Sequence, residues 1–382
     1  MDTRTILERL IAFETVSAAA NLPLIEWARD LLAAAGARLL VVPDATGTKA
    51  NLHATIGPAD RPGVLLSGHT DVVPVEGQAW TRPPFRLTEA EGRLYGRGAA
   101  DMKGFVAAAL ACALAAARRP LRTPLHLALS HDEEVGCIGV RALIDLLAQA
   151  PVRPLLCIVG EPTGMAVATG HKGKRGLRAV CRGREGHSAL APLAMNAIHL
   201  AADLTAELRA LQARIVATGR RDGDYDVPYT TVHVGRIAGG ASLNIVPNRC
   251  ELDLEFRHLA EDDPAALRAE IDAAAARVVA AAADPDAAIE IAEFMDYPGL
   301  GTPPDAAAVA FVKGLTGANG TIKVAFGTEG GLFHERLGVP TVVCGPGSMA
   351  QGHRPDEYVT TEQLARCDAM LAALLDRLEA GL

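Results

Sequence analysis

The chain has 382 residues, of which 49% are hydrophobic and 21% are charged, and its formal net charge is −8. This composition is typical of a globular protein long enough for two domains, and it excludes a disordered chain. The acidic balance, without a Lys/Arg-rich block, argues against a nucleic-acid partner and favours a small-molecule partner. The longest apolar tract, residues 105–117, is too short to span a bilayer, so we expect no membrane partner.

The N-terminal sequence MDTRTILERLIAF carries charges through its first turns and has no basic stretch followed by an apolar run. We therefore expect no secretory signal. Seven cysteines are scattered along the chain without a Cys-x-x-Cys pair. An odd number in this arrangement favours reduced thiols over a disulfide framework, so we expect a cytoplasmic protein.

Helices and strands alternate in the first part of the chain. Residues 4–35 have apolar positions at helical spacing and Gly36 as a C-cap, which predicts one helix. The next predicted elements are strands near 51–56 and 64–70, a helix near 103–118, a strand near 125–130, a helix near 138–149 and a strand near 155–160. This alternation predicts an α/β fold with a mostly parallel sheet flanked by helices.

The pattern changes after residue 173. The predicted elements are then a strand (177–183), a helix (193–213), two strands (229–237 and 249–258), a helix (264–283) and a strand (287–293). This order is that of an α+β, ferredoxin-like unit with an antiparallel sheet. A stretch rich in Pro and Gly, 296–305, leads back to the first pattern. We therefore predict a discontinuous domain, 1–173 and 294–382, with a second domain, 174–293, inserted in it.

Two polar residues end the apolar strand that begins at Val64. In VLLSGHTDVVP, His69 and Asp71 are two residues apart, which places both side chains on one face of an extended chain. A carboxylate beside an imidazole can fix its tautomer and raise its basicity, as a metal-binding histidine requires. Taken alone, the pair could equally belong to a turn in a surface loop.

Carboxylates and an imidazole also follow other predicted strands. They are Asp101 in GRGAADMKG, Glu133 and Glu134 in SHDEEVG, Glu161 in VGEPTG and His353 in GPGSMAQGHRPDE. In open α/β sheets, functional groups gather beyond the carboxyl ends of the strands. The alternative is that these residues only cap helices and turns, but buried carboxylates that face one another without cations are costly.

The residue types at these positions indicate a metal centre. Two histidines, several carboxylates and no cysteine suit Zn, Co or Mn better than Ca or a thiolate site. Five ligands exceed the needs of one tetrahedral zinc with an open position, so they predict two metals that share a carboxylate. Of the adjacent pair Glu133 and Glu134, one can bind metal while the other remains free as a general base.

The chain resembles the di-zinc aminoacylase/carboxypeptidase family over nearly its whole length. The motifs that carry the resemblance are GHTDVVP, GRGAADMKG, DEEVGCIG, GEPT, HKGKRG, GHS and GHRPDE. It implies that one metal is bound by His69 and Glu161, the other by Glu134 and His353, with Asp101 as the bridge, Asp71 orienting His69, and Glu133 as the general base. The family also has a cis peptide bond after the bridging aspartate.

The segments FGTEGGLF and GPGSMAQGHRPDEYV are similar to the acetylornithine deacetylase branch of this family, as is GHSALAPLAMNAI. The resemblance implies two divalent metal ions, expected to be zinc with cobalt or manganese as alternatives, an N-acyl amino acid substrate, and a homodimer formed through the inserted domain. It gives roles to residues of that domain: His187 binds the oxyanion, Arg257 binds the substrate carboxylate, and Asn244 reaches a neighbouring active site. Each could instead be a loop, strand-end or turn residue.

Glu329 lies among glycines after the predicted strand KVAF. We expect its carboxylate to bind the side-chain ammonium of ornithine, although it could instead cap the helix that begins near Leu332. The expected reaction is hydrolysis of N2-acetyl-L-ornithine to acetate and L-ornithine. The alternatives are another N-acyl-L-amino-acid hydrolase, a succinyl-diaminopimelate desuccinylase-like enzyme, a dipeptidase, and a non-catalytic metal-binding protein.

Overall fold

The computed structural model describes residues 1–17 and 19–382. The helices are α1 (Thr3–Ile11), α2 (Leu22–Ala34), α3 (Lys103–Ala116), α4 (Val140–Gln149), α5 (Ala197–Thr218), α6 (Pro264–Ala282), α7 (Ala307–Thr316), α8 (Gly330–Leu337) and α9 (Thr361–Ala380), with a short 3-10 helix at Ser188–Leu193. The strands are β1 (Arg38–Pro43), β2 (Ala50–Ile56), β3 (Val64–His69), β4 (Thr88–Ala90), β5 (Arg93–Tyr95), β6 (Leu125–Ser130), β7 (Leu156–Pro162), β8 (Ala168–His171), β9 (Gly173–Arg182), β10 (Gly186–His187), β11 (Thr231–Gly239), β12 (Ile245–Val246), β13 (Arg249–His258), β14 (Ala288–Tyr297), β15 (Leu300–Gly301), β16 (Ile322–Val324), β17 (Thr341–Gly345) and β18 (Tyr358–Thr360).

The chain forms two compact units. The first combines Met1–His171 with Leu300–Leu382, and the second is Lys172–Gly299. Among the described residues, no helix combines the length and the apolar character that crossing a bilayer requires.

The sheet of the first unit has parallel strands at its centre. Its order is β1-β2-β6-β3-β7-β17-β8-β15, with β16 paired to β8. β3 is parallel to β6 and β7, and β17 is parallel to β7, whereas β1 and β2 add antiparallel pairs at one edge. Every residue of β3 and β7 is buried, as expected for strands covered on both faces. The predicted α/β class with a mostly parallel sheet is confirmed.

Two glycines explain how α3 packs so closely against this sheet. The sequence KGFVAAALACALAA leaves most of α3 buried among apolar side chains. A Cβ at Gly68 would lie 2.9 Å from Met102 Cε, and one at Gly160 would lie 1.9 Å from the Phe105 ring. Glycine is therefore required next to His69 and next to Glu161, where the helix meets the strand ends.

The prediction of a single helix over 4–35 is wrong. α1 ends at Ile11 and α2 begins at Leu22, and polar side chains between them bond to the chain just beyond β3. Thr15 Oγ1 donates to the Thr70 carbonyl at 2.5 Å, and Asn21 Nδ2 donates to Thr70 Oγ1 at 3.0 Å. Thr, Ser and Asn side chains compete with the helix for backbone partners, and here tertiary bonds outweigh the helical spacing of the apolar residues.

The second unit is an antiparallel sheet covered by two helices. Its sheet order is β11-β13-β9-β14, and every pair is antiparallel. β13 alternates buried and less buried residues, as expected when one face packs on helices and the other does not. The buried face meets α5 and α6 in one apolar cluster. The strand–helix–strand–strand–helix–strand order with this topology is ferredoxin-like, although α5 begins at Ala197 rather than at residue 193.

Candidate active site

His69 ends β3, and its two ring nitrogens face different groups. Nδ1 lies 2.9 Å from the main-chain oxygen of Asp71, which fixes Nδ1–H as the donor to that carbonyl. Nε2 lies 3.1 Å from Asp101 Oδ1 and 3.5 Å from Glu161 Oε1. The imidazole is 1% exposed. A histidine anchored through one nitrogen, with the other facing two carboxylates, has the arrangement of a metal ligand.

Asp101 lies between two imidazoles. Its Oδ1 faces His69, and its Oδ2 lies 3.1 Å from His353 Nε2. The same His353 Nε2 is 3.1 Å from Glu134 Oε2. Each carboxylate oxygen of Asp101 thus belongs to a different cluster, which is the geometry of a bridging ligand. The Asp101–Met102 peptide bond is cis, as the resemblance implies.

The predicted metal-binding residues converge in the first unit. One group that could hold a metal ion is His69, Glu133 and Glu161, and another is His69, Asp101 and Glu134; the ligand atoms in each group lie within 4.8 Å of one another. Glu133 is therefore near enough to bind metal as well as to act as a base. Its assignment as the base stays a prediction.

Among the residues that the structure describes, no lysine or arginine side chain bonds to any of the five predicted ligands; their ion pairs are with one another and with Asp71. Burial raises the pKa of Glu134 to about 7 and that of Glu161 well above its usual range. The hydrogen bonds that His353 donates to Asp101 and Glu134 raise its pKa to about 10. The surroundings of Glu134, Glu161 and His353 thus favour the protonated forms of groups whose pKa is ordinarily below 7. Divalent cations would take the place of those protons, so the donor set fits metal ions.

The sequence matches peptidase family M20/M25/M40 over residues 65–377. The chain belongs to this family. It is 37% identical over 374 residues to an acetylornithine deacetylase of Myxococcus xanthus, covering 97% of this chain and 95% of the relative. It is 34% identical over 341 residues to an acetylornithine deacetylase of Shigella sonnei (strain Ss046), covering 88% and 85%.

Solved structures of family members show the same fold. A metallo-carboxypeptidase of family M20 from Sulfolobus solfataricus superposes with a TM-score of 0.80 at 19% identity, covering 100% of both chains. A dinuclear metal-binding M20 peptidase from Bacillus subtilis superposes with a TM-score of 0.72 at 16% identity, covering 98% of this chain and 96% of that one. At these identities the likeness concerns the fold.

Asp71 contacts His69 through its main-chain oxygen and the neighbouring turn through its carboxylate, and its role in orienting His69 stays a prediction. Asp71 Oδ1 is 3.6 Å from His69 Nδ1, farther than the main-chain oxygen that accepts the hydrogen bond. The carboxylate instead accepts from the main-chain N–H of Glu133 at 3.2 Å and of Glu134 at 3.3 Å. Ser17 Oγ also donates to it, at 2.8 Å. Asp71 therefore joins the histidine to the turn that carries both glutamates.

Glu357 is a site residue that the sequence interpretation missed. Its Oε1 accepts from the main-chain N–H of Ala100 at 2.9 Å and of Asp101 at 3.0 Å, and its Oε2 accepts from Gly98 at 3.0 Å. Arg97 Nη1 donates to Oε2 at 2.7 Å, and both side chains are 1% exposed. Glu357 closes the motif GHRPDE, so an acidic residue four positions after His353 was the available signal.

Gln78 is a second missed residue. Its Nε2 donates to the main-chain oxygen of His353 at 2.8 Å, and its Oε1 accepts from Arg97 and from Trp80 Nε1. His353 has a φ of +60°, a left-handed conformation that residues other than glycine rarely adopt. Gln78 therefore ties an unusual backbone to the arginine that also binds Glu357. The local sequence VEGQAW contains no pattern that predicts this contact.

Glu329 lies in the interior of the first unit. It is 1% exposed, and Ser67 Oγ donates to its Oε2 at 3.2 Å. Burial raises its pKa to about 7. Glu329 occupies the N-cap position of α8, but its side chain makes no capping hydrogen bond to the described residues of that helix, so the alternative of a capping carboxylate is wrong. Its role as the ammonium-binding residue stays a prediction, and its burial beside β3 argues against direct access for substrate.

The remaining predicted residues lie in the second unit. His187 and Asn244 are exposed neighbours, because β10 pairs with β12 and Ser188 N donates to the Asn244 carbonyl at 3.0 Å. Ala189 N donates to His187 Nδ1 at 3.1 Å. Arg257 is half-buried on β13, where its Nε donates to Glu255 at 2.9 Å. Their roles toward substrate stay predictions.

Proposed function

We propose that this chain hydrolyses N2-acetyl-L-ornithine to acetate and L-ornithine, with two divalent metal ions as cofactors. The observation that carries the proposal is the position of Asp101 between His69 and His353, with Glu133 beside them. Membership of family M20/M25/M40 and 37% identity to an acetylornithine deacetylase support the choice of reaction and substrate. A cytoplasmic location and a place in arginine synthesis belong to the same proposal; the seven cysteines, all free, are consistent with it.

The residues fit two ions rather than one. His69, Asp101 and Glu161 would hold the first ion, and His353, Asp101 and Glu134 would hold the second. Imidazole and carboxylate ligands suit zinc, with cobalt or manganese as alternatives. When bound, such ions polarise the acyl carbonyl and lower the pKa of a water molecule.

Glu133 performs the proton transfers in this proposal. Its carboxylate takes a proton from the attacking water and gives it to the leaving amine nitrogen. Burial raises the pKa of Glu133 well above its usual range. A raised pKa makes the carboxylate a stronger base, and it makes the protonated form an acid that persists near neutral pH until the amine leaves.

His187 binds the oxyanion of the tetrahedral intermediate in this proposal. Because Nδ1 accepts the Ala189 N–H, the proton of the neutral ring is on Nε2. Nε2–H is therefore available as a donor to a developing negative charge. The neighbouring Asn244 amide and the Arg257 guanidinium bind the substrate in the same proposal.

The function is tested with purified protein loaded with zinc or cobalt. Turnover is measured on N2-acetyl-L-ornithine, N-acetyl-L-methionine, N-succinyl-L,L-diaminopimelate and a dipeptide. We expect the highest kcat/KM on N2-acetyl-L-ornithine and complete loss of activity after chelation. A higher value on another compound would assign the chain to that substrate, and metal binding without turnover on any compound would favour a non-catalytic protein.

We also propose a homodimer formed through the second unit, in which His187 and Asn244 serve the partner's active site. The exposed apolar side chains of this unit, among them Leu193, Ile237 and Leu243, support the proposal. Mixing an inactive Glu133 variant with an inactive His187 variant tests it. Activity should reappear in heterodimers, and its absence despite subunit exchange would argue against shared sites.

A further inference from the structure

We propose that Cys137 is a positioning residue that holds the Glu133 carboxylate in the orientation required for proton transfer. This inference rests on the proposed role of Glu133 as the base in amide hydrolysis. It adds the Cys137 thiol, a neutral donor on the same turn as Glu133. Neither the sequence motifs nor the set of predicted metal ligands gives this thiol a role.

The contact between the two side chains is direct. Cys137 Sγ lies 3.3 Å from Glu133 Oε1, with the thiol as donor and the carboxylate as acceptor. The main-chain N–H of Cys137 donates to the Glu133 carbonyl at 2.9 Å. Among residues 1–17 and 19–382, no other side chain donates a hydrogen bond to this carboxylate. The thiol therefore holds Oε1 of Glu133, and Oε2 remains available to accept the proton from water.

The backbone of the turn directs the thiol toward the base. Cys137 has a φ of +54°, in the left-handed region that residues other than glycine rarely adopt. Ile138 N donates to the Asp132 carbonyl at 3.1 Å, which closes the turn around Glu133. The start of the turn is anchored by the Lys49–Asp132 ion pair, whose Nζ and Oδ1 are 2.5 Å apart. The unusual backbone of Cys137 is thus held in place from both ends.

A thiol is suited to this task. The terminal torsion of a glutamate is broad, so a carboxylate without a partner samples many orientations. A thiol is a weak donor, so it can restrict that rotation without strongly stabilising the charge that makes the group a base. Burial, together with the charge of Glu133, raises the pKa of the Cys137 thiol well above its usual range, so the group remains a donor.

The kinetic test uses zinc-loaded Cys137→Ala and Cys137→Ser, with Cys367→Ala as the matched control. Cys367 is equally buried but lies on α9. We expect Cys137→Ala to lower kcat about tenfold, which corresponds to ~1.4 kcal/mol, with KM and bound metal unchanged. Cys137→Ser should recover most of kcat because its hydroxyl also donates, and Cys367→Ala should keep the normal kcat.

Three results would overturn the inference. They are a normal kcat in Cys137→Ala, a loss of kcat that parallels a loss of metal, and a Cys137→Ser variant with normal metal content that is as slow as Cys137→Ala. If the alanine variant does not fold, the serine variant is compared with the wild-type protein: a nearly normal kcat supports the inference, and a kcat lowered about tenfold at normal metal content overturns it.

A spectroscopic test does not require turnover. The infrared S–H stretching band of Cys137 is isolated as the difference between zinc-loaded wild-type protein and Cys137→Ser. We expect a band shifted to lower frequency than that of Cys367, and a return toward the frequency of Cys367 in Glu133→Ala. An unshifted band would contradict the hydrogen bond. If no N-acyl amino acid is hydrolysed, the proposed function fails, whereas this band still reports on the contact.

Discussion

The two units hold their candidate functional residues in different ways. In the first unit, His69 and Asp101 are buried. His69 donates to the Asp71 carbonyl and the main-chain N–H of Asp101 donates to Glu357, and both of these partners are held by further hydrogen bonds. In the second unit, His187 and Asn244 are exposed, and their hydrogen bonds are mainly to residues of β10, β12 and the adjoining loops. The candidate metal ligands are therefore pre-organised by the fold, whereas the second set has fewer contacts that fix its orientation.

This contrast predicts that variants in the first unit change both chemistry and stability, whereas variants in the second unit change chemistry alone. The largest effect should come from the base. Glu133→Gln removes the proposed general base, so kcat should fall about 10³-fold. Both metal ions should remain bound, as measured by elemental analysis of the dialysed protein.

Metal content gives this variant a second use. The possible ligand atoms of Glu133, His69 and Glu161 lie within 4.8 Å of one another. Loss of one metal ion from Glu133→Gln would show that Glu133 is a ligand, and the base would have to be sought elsewhere. Glu161→Gln is the matched comparison, because it should lower the occupancy of the site at His69.

The next effect concerns the buried pair of Arg97 and Glu357. Glu357→Gln leaves the Arg97 guanidinium buried without its counter-charge, which should lower the free energy of unfolding by about 3–5 kcal/mol. A glutamine keeps only one of the two acceptor oxygens, so the loop that carries Asp101 also loses part of its hydrogen bonding, and metal affinity should fall. Urea unfolding of the metal-free protein and a metal titration measure the two effects separately.

A partly exposed ion pair provides the control for this variant. Arg119 and Glu379 are also an Arg–Glu pair, with a separation of 2.6 Å, but their side chains are 29% and 37% exposed, and Arg119 keeps a second partner in Asp376. Glu379→Gln should cost less than about 1 kcal/mol because water screens the pair. Equal losses in the two variants would mean that burial does not set the strength of the Glu357 contact.

The structure explains which of these residues could be predicted from the sequence. His69 and Glu161 lie at the ends of the neighbouring parallel strands β3 and β7, and the convergence of these strand ends brings them together whatever the details of the loops. Asp101 lies in the loop before α3, where its sequence motif was the available signal. Glu357 and Gln78 act through main-chain groups that are distant in sequence, and no local pattern shows such partners. The break between α1 and α2 was missed for the same reason, because it depends on hydrogen bonds to the chain beyond β3.

An effect on chemistry alone is expected in the second unit. His187→Ala removes the proposed oxyanion donor, so kcat should fall about 10²-fold. The side chain is exposed, so the free energy of unfolding should change by less than about 0.5 kcal/mol. His199→Ala, at another exposed histidine of the same unit, is the control and should keep the normal kcat.

A combined loss of stability and turnover in His187→Ala would contradict the contrast between the units. An unchanged kcat would instead remove His187 from the proposed mechanism. In either case the metal content should equal that of the wild-type protein, because no predicted ligand lies in the second unit.

The smallest effect should come from Ser17, whose hydroxyl donates to Asp71 Oδ2 at 2.8 Å. Ser17→Ala removes one hydrogen bond to a carboxylate that still accepts from the main chain of Glu133 and Glu134. We expect a loss of about 1 kcal/mol in the free energy of unfolding and a fall in kcat of less than about tenfold. Thr15→Ala is the matched control, because Thr15 lies in the same segment but donates to the Thr70 carbonyl at 2.5 Å rather than to Asp71. Both variants should lose similar stability, and only Ser17→Ala should lower kcat; an equal fall in both would show that the segment supports the site as a whole and that the contact with Asp71 has no separate role.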